Sequence, residues 1–220
     1  MSTHYYFSWF NDFLPEGLVQ WLQEDLQDRQ SLVMISAQPS NYEDEQINFE
    51  DITEWTWLRQ ANLMFDKYHF IDYRMQKEEA RQWIQNASVI FLCGGDPVQQ
   101  NNFLAEYELT DVIKNSNAVI LGASAGALNM SAKWVTSRNA AHTVEIDTIH
   151  DGMGFDPFAY ESHSQRDYAS FVQGYLFLLS EEMDVYAAEQ ESAIRVKDGK
   201  IEIMGPVYYI SRSKIRKISI

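Results

Sequence analysis

One cysteine, Cys93, is all the thiol chemistry that 220 residues contain. A single thiol closes no internal disulfide, so the fold must rest on packing, and a reducing compartment is the expected setting. Positive charge is also scarce: 17 Lys and Arg stand against 32 Asp and Glu, a formal net charge of −15. A nucleic-acid surface would be basic, so that class of partner is excluded, and attraction to an anionic membrane is equally disfavoured. The basic residues that exist cluster late, at Lys197, Lys200, Arg212, Lys214, Arg216 and Lys217, where a solvated C-terminal face is expected. No apolar run approaches the roughly 20 residues that span a bilayer. The N-terminal residues show neither a basic segment nor the apolar stretch of a signal peptide. Together these absences predict a cytoplasmic protein. HExxH and CxxC spacings are missing, the histidines are scattered, and no phosphate loop with lysine occurs. No metal and no cofactor are therefore expected.

What is present is a large apolar fraction, 45% of the chain. That is enough for the core of one α/β domain over residues 1–220. Strand candidates fall at residues 5–10, 31–36, 68–73, 88–93 and 118–121. Helical spacing is read at 14–27, 77–85 and 98–115, with an acidic, tryptophan-rich helical stretch at about 42–65. The alternation predicts a mostly parallel sheet with helices on both faces. Near the end, residues 193–196 and 201–204 flank Asp198-Gly199, the turn chemistry of a β-hairpin, and 207–210 is read as a further strand extending it.

The most informative segment is Gly122-Ala-Ser124-Ala-Gly126-Ala127. It follows the apolar run at 118–121 and precedes a stretch that can continue as a helix. A serine between two glycines at a strand-to-helix turn is the pattern of a nucleophile elbow. The sharp turn pushes Oγ clear of the backbone, small neighbours keep its approach open, and the amide after the serine, Ala125, can donate to a developing oxyanion. A Gly/Ala-rich turn that only packs a helix tightly on a sheet is the competing explanation.

Gly94-Gly95-Asp96-Pro97 closes the preceding strand, so the double glycine and Ser124 sit at the carboxyl ends of consecutive strands, where reactive groups gather in such sheets. Gly94 and Gly95 could bring a second N–H close to a substrate. A serine nucleophile needs a base, usually histidine. Of five histidines, His4 and His69 lie in strand segments with packing or surface roles expected. His142, His150 and His163 follow the elbow, and composition does not choose among them.

These pieces, in this order and spacing, resemble peptidase family S51, which includes aspartyl dipeptidase (peptidase E) and cyanophycinase. The resemblance is carried by residues 89–96, the elbow 122–127, Ser162-His163 and the hairpin at 193–199. It implies an α/β fold of the class I glutamine-amidotransferase type, with a C-terminal β-hairpin and a serine peptidase acting on small peptides. It places the nucleophile at Ser124, the base at His163, and the oxyanion amides at Gly95 and Ala125. The resemblance also implies a carboxylate late in the chain, and the matching position holds Gln190, with Glu189 and Glu191 on either side. A second acid of the family falls on Asn139. Where aspartyl dipeptidase has Gly-Gly-Gly-Asn-Thr, this chain reads Cys93-Gly-Gly-Asp96-Pro97. Asp96 should then repel an acidic substrate side chain. The only nearby cation is Arg166, beside Asp167 and Glu161, so aspartyl specificity is not carried over.

A small peptide is thus the expected partner, and a homodimer is compatible with the sequence. A reading from another class is a binding protein on the same fold that has lost its acid, favoured by Asn139 and Gln190. An ordinary α/β-hydrolase would place an acid before the histidine on a separate strand and needs more chain after the elbow. A glutamine amidotransferase proper would carry cysteine at the elbow.

Overall fold

The computed structural model describes residues 3–41, 47–136, 148–164 and 170–218. Its first sheet is built from β1 (Thr3–Phe7), β2 (Ser31–Ile35), β3 (Lys67–Ile71), β4 (Val89–Leu92) and β5 (Val119–Ala123), with β10 (Ala193–Lys197) and β11 (Lys200–Met204) closing one edge. The order is β11-β10-β1-β5-β4-β2-β3. β1 through β5 pair in parallel, and β10 and β11 run antiparallel beside β1. β1, β2 and β4 are buried along their whole length, as expected of strands with helices on both faces.

A second sheet was not anticipated. It comprises β6 (Lys133–Thr136), β7 (Thr148–Asp151), β8 (Phe158–Glu161), β9 (Asp184–Ala188), β12 (Val207–Ser211) and β13 (Lys214–Ile218), in the order β13-β12-β9-β8-β6-β7. The residues at 207–210 therefore do not extend the β10–β11 hairpin: β12 crosses to pair with β9. The crossing follows a glycine in the left-handed region, Gly205 (φ +75°), where a Cβ would lie 2.3 Å from the Glu191 carbonyl oxygen. One apolar cluster joins the sheets, uniting Tyr6, Ile90 and Ile194 with Trp134, Phe158 and Tyr186.

Helices α1 (Glu16–Asp25), α2 (Thr53–Gln60), α3 (Lys77–Gln85) and α7 (Ser170–Leu179) are single segments. The span read as one helix at 98–115 is instead two, α4 (Pro97–Glu106) and α5 (Leu109–Lys114). They are separated by Glu108 in the left-handed conformation (φ 52°), where its carboxylate takes up Lys77 and Arg81 of α3. In the acidic stretch, Asn48 caps a 3-10 turn at Phe49–Asp51 and Ile52 is extended, so α2 begins only at Thr53; residues 42–46 lie outside the described set. β13 is exposed along most of its length and carries Lys214, Arg216 and Lys217, in keeping with the expected solvated basic face.

Candidate active site

The elbow forms because three strands end together. Phe7 of β1 is paired with Ala123 of β5, and Leu92 of β4 with Gly122. The Ser124 amide donates to the Phe7 carbonyl at 2.9 Å, and the Ser124 carbonyl accepts from Leu128 in the first turn of α6 (Ala125–Met130). Between these anchors Ser124 is held at φ 47°, ψ −109°, a sparsely populated region that costs of order 1–3 kcal/mol and persists only where its surroundings impose it.

The flanking glycines do more than leave the approach open. A Cβ on Gly126 would lie 2.0 Å from the Leu92 carbonyl oxygen, and one on Gly122 would lie 2.4 Å from Met130 Sδ. Close packing of helix on sheet and presentation of the serine are therefore the same device.

Ser124 Oγ lies 2.8 Å from His163 Nε2. Both residues are half-buried. His163 follows β8 and also has a positive φ, 56°. Its backbone amide donates to Ser8 Oγ at 2.9 Å, and Ser8 Oγ lies 3.4 Å from the Ala188 carbonyl at the end of β9. Ser8 is fully buried just beyond β1. It therefore links β1, the histidine loop and β9, a role that sequence pattern alone did not signal. Trp9 stands beside the pair, its ring centroid 6.4 Å from that of His163.

The other histidines lie elsewhere. His4 Nδ1 is 2.9 Å from Asp156 Oδ2, His69 stacks on Trp83, and His150 Nε2 is 2.8 Å from Thr136 Oγ1. His142, Asn139, Arg166 and Asp167 lie outside the described residues.

Near the nucleophile, a Cβ on Gly94 would lie 3.5 Å from Ser124 Cβ. The Gly94 amide is already engaged: it donates to Glu54 Oε1 at 2.6 Å. Gly94 is thus not open as an oxyanion donor in this structure. Gly95 is exposed, with φ +140° and a Cβ position 3.0 Å from Ala37 Cβ, a backbone that favours glycine. Ala125 opens α6, where the amide has no acceptor within its own helix.

Glu54, which no motif marked, is 4% exposed, and burial raises its carboxyl above the ordinary range. Cys93, also buried, has its thiol pushed up by burial and then by the neighbouring Glu54. It is a packed residue rather than a reactive one.

Asp96, expected beside the substrate, caps the helix that follows. Its Oδ1 accepts from Val98 N at 2.9 Å and Gln99 N at 3.0 Å, and Oδ2 from Gln99 Nε2 at 3.2 Å. Asp96-Pro97 is an N-cap followed by proline in the first helical position, a helix-start signal that accounts for the pair without reference to catalysis. The acids at the end of β9 are also committed. Glu189 pairs with Lys217 at 2.8 Å, which holds its carboxyl below the usual range. Glu191 Oε1 accepts from the backbone and side-chain nitrogens of Asn11, each at 3.0 Å, and Gln190 Oε1 lies 3.5 Å from Asn11 Nδ2. The structure thus joins Ser124 with His163, whereas the contacts of Glu189, Gln190 and Glu191 run to Lys217 and Asn11.

A cavity of about 250 Å³ opens beside Gly94, lined by Trp9, Phe70, Glu54, Asp51, Asp72 and Arg74 among others. Asp72 and Arg74 are joined side chain to side chain. A larger cavity, about 340 Å³ and lined by His4, Ile120 and Phe155, sits at the opposite end of β1 and away from the serine. Among the described residues, no group of three or more His, Cys, Asp or Glu side chains converges where a metal ion could sit. No described helix is long and apolar enough to cross a membrane.

A half-buried serine and histidine thus meet at the carboxyl ends of a parallel sheet, and comparison with known proteins gives the family. The chain belongs to peptidase family S51, whose family model matches residues 52–204. A peptidase from an acI-B1 Actinobacterium superposes with a TM-score of 0.71 at 14% identity, covering 100% of this chain and 94% of its own. A candidate peptidase E from Listeria monocytogenes EGD-e gives 0.65 at 15% identity, over 92% of this chain and 98% of its own. The pyridoxal 5′-phosphate synthase subunit PdxT of Methanocaldococcus jannaschii is 22% identical over 135 residues, 58% of this chain and 73% of that protein. The fold is the glutamine-amidotransferase-like α/β architecture, and the protein is a peptidase.

Proposed function

We propose that the protein is a serine-type peptidase hydrolysing small peptides through an acyl-enzyme on Ser124. The observation that carries this is the 2.8 Å contact between Ser124 Oγ and His163 Nε2 at a strained elbow. His163 takes the Oγ proton as the oxygen attacks the scissile carbonyl, and returns it to the leaving amine. The Gly95 and Ala125 amides hold the oxyanion. Water, deprotonated by the same histidine, then releases the acid product. A reducing, cytoplasmic setting fits the one cysteine, buried at the end of β4.

The neighbouring cavity supports a substrate preference. Asp51, Glu54 and Asp72 line it, and the cation they share it with, Arg74, is already joined to Asp72. Such a wall disfavours an acidic acyl-side residue and favours a neutral or basic one. The carboxylate responsible is Asp51, because Asp72 is paired with Arg74, burial favours the neutral form of Glu54, and Asp96 accepts the first amides of α4.

The deciding experiment is fluorophosphonate labelling read by intact mass, with Ser124→Ala and His163→Ala alongside. Wild type should gain one adduct. Ser124→Ala should gain none, and His163→Ala should react at least 10³-fold more slowly, since base and nucleophile act as a unit. A wild-type protein that never labels would remove the activated serine and leave a binding protein on a peptidase fold.

A further inference from the structure

Glu54 is a buried ionisable group beside the glycine loop that the serine–histidine chemistry leaves unused. It sits in the first turn of α2, on an element separate in sequence from both the glycine loop and the elbow. Its carboxyl oxygen meets the Gly94 amide at 2.6 Å, and a Cβ placed on Gly94 would lie 3.3 Å from that oxygen and 3.5 Å from Ser124 Cβ. Trp9 closes the third side, its ring 2.7 Å from the same Cβ position. The peptide leading into Gly95 is therefore clamped between a carboxyl, an indole and the nucleophile.

We propose that Glu54 is a positioning residue for the oxyanion loop: by accepting the Gly94 N–H, it withdraws that amide from the substrate and sets the following peptide so that the Gly95 N–H serves as the oxyanion donor beside Ala125. This rests on the hydrolase reading of Ser124 given above.

Two features support it. A glutamate with 4% exposure is costly to bury, and among the described residues only backbone amides, not a cation, offset its loss of water. The Gly94 amide that Glu54 accepts lies beside the reacting serine. Burial also favours the neutral acid, which can accept from Gly94 without placing a full negative charge next to a developing oxyanion. A carboxamide should therefore replace it.

The test is the inactivation kinetics of the wild-type protein with a fluorophosphonate, separated into kinact and KI. Glu54→Leu should lose about 10–100-fold in kinact with KI nearly unchanged, part of the 10²–10³-fold effect of losing a whole oxyanion donor. Glu54→Gln should stay within about threefold of wild type. Glu54→Asp keeps a carboxyl but withdraws it by one methylene. It should lose about tenfold in kinact, and it carries the test if the leucine variant fails to fold. Leu and Asp variants that react like wild type, or a Gln variant as slow as the leucine one, overturn the inference while the hydrolase reading stands. Wild type that does not label overturns both.

Discussion

Ser8 shows how much of this site depends on residues that carry no chemistry of their own. Its hydroxyl takes the His163 amide while His163 is held at a positive φ, which a histidine adopts only when its neighbours impose it. Ser8→Ala would leave that half-buried amide without its acceptor. The expected destabilisation is about 1–3 kcal/mol, with a drop in fluorophosphonate labelling rate as the imidazole loses its fixed place. Urea unfolding and labelling on the same sample check it; a variant with wild-type rate and stability would show that the histidine loop is fixed by other contacts. Nothing in the sequence around Ser8 hinted at this, because the contact spans 155 positions. Glu54 was hidden for a similar reason. Its partner is an amide 40 residues away, and among the acids around it only burial sets it apart. Ser124 was legible because the elbow is local: strand, glycines and helix are consecutive. His163 was not selected by local pattern, since three histidines follow the elbow. Family resemblance singled it out, and the structure sets it against the serine. The cap role of Asp96 was legible too, in Pro97 as the first residue of α4, a helix-start signal that the comparison with the family motif overlooked.

At the level of elements, period and punctuation served well where the signal was short-range. α3 occupies the expected residues 77–85, and the β10–β11 hairpin turns on Asp198 and Gly199, both with positive φ. The failures are breaks and destinations. α4 and α5 part at Glu108, whose left-handed backbone no propensity marks. β12 leaves the hairpin because its apolar residues find β9, a pairing that adjacent sequence cannot reveal. The tightest joint between elements is α6 on β4. Gly126→Ala should cost about 3 kcal/mol, since the added methyl would meet the Leu92 carbonyl oxygen at 2.0 Å and its carbon at 2.5 Å, both backbone atoms. Gly174→Ala on α7, where a Cβ meets nothing within 4 Å, is the matched control and should be neutral or slightly stabilising. Thermal melts of the pair make the comparison, and equal melting points would mean that α6 can move off the sheet freely.

Across the whole molecule, burial of acid groups ties stability to pH. Glu161 at the end of β8 is 6% exposed, its Oε2 has no hydrogen-bond partner among the described residues, and burial pushes its carboxyl up to about 8. The folded state therefore holds a proton that the unfolded chain releases near pH 4.5. Below that pH both states are protonated and the group exerts no pull. As pH rises towards about 8 the unfolded state gains the advantage of ionising, and stability falls; above about 8 both states are ionised and the loss levels off. At pH 7 the penalty is on the order of 3 kcal/mol, taking about 1.4 kcal/mol per pKa unit. Glu54 is shifted in the same direction by the same cause, so the two losses act together on the alkaline side. Glu161→Gln removes one of them: the fall in unfolding free energy between pH 5 and pH 8, read from urea titrations, should shrink by about 3 kcal/mol, with little change at pH 4. The net charge of −15 adds self-repulsion that grows as acids ionise, but salt screens it. The titrations are therefore run at about 0.1 M and again at about 1 M salt. A pH slope that 1 M salt abolishes in wild type would assign the effect to surface charge. A slope that survives in salt and disappears with Glu161→Gln belongs to the buried carboxyl.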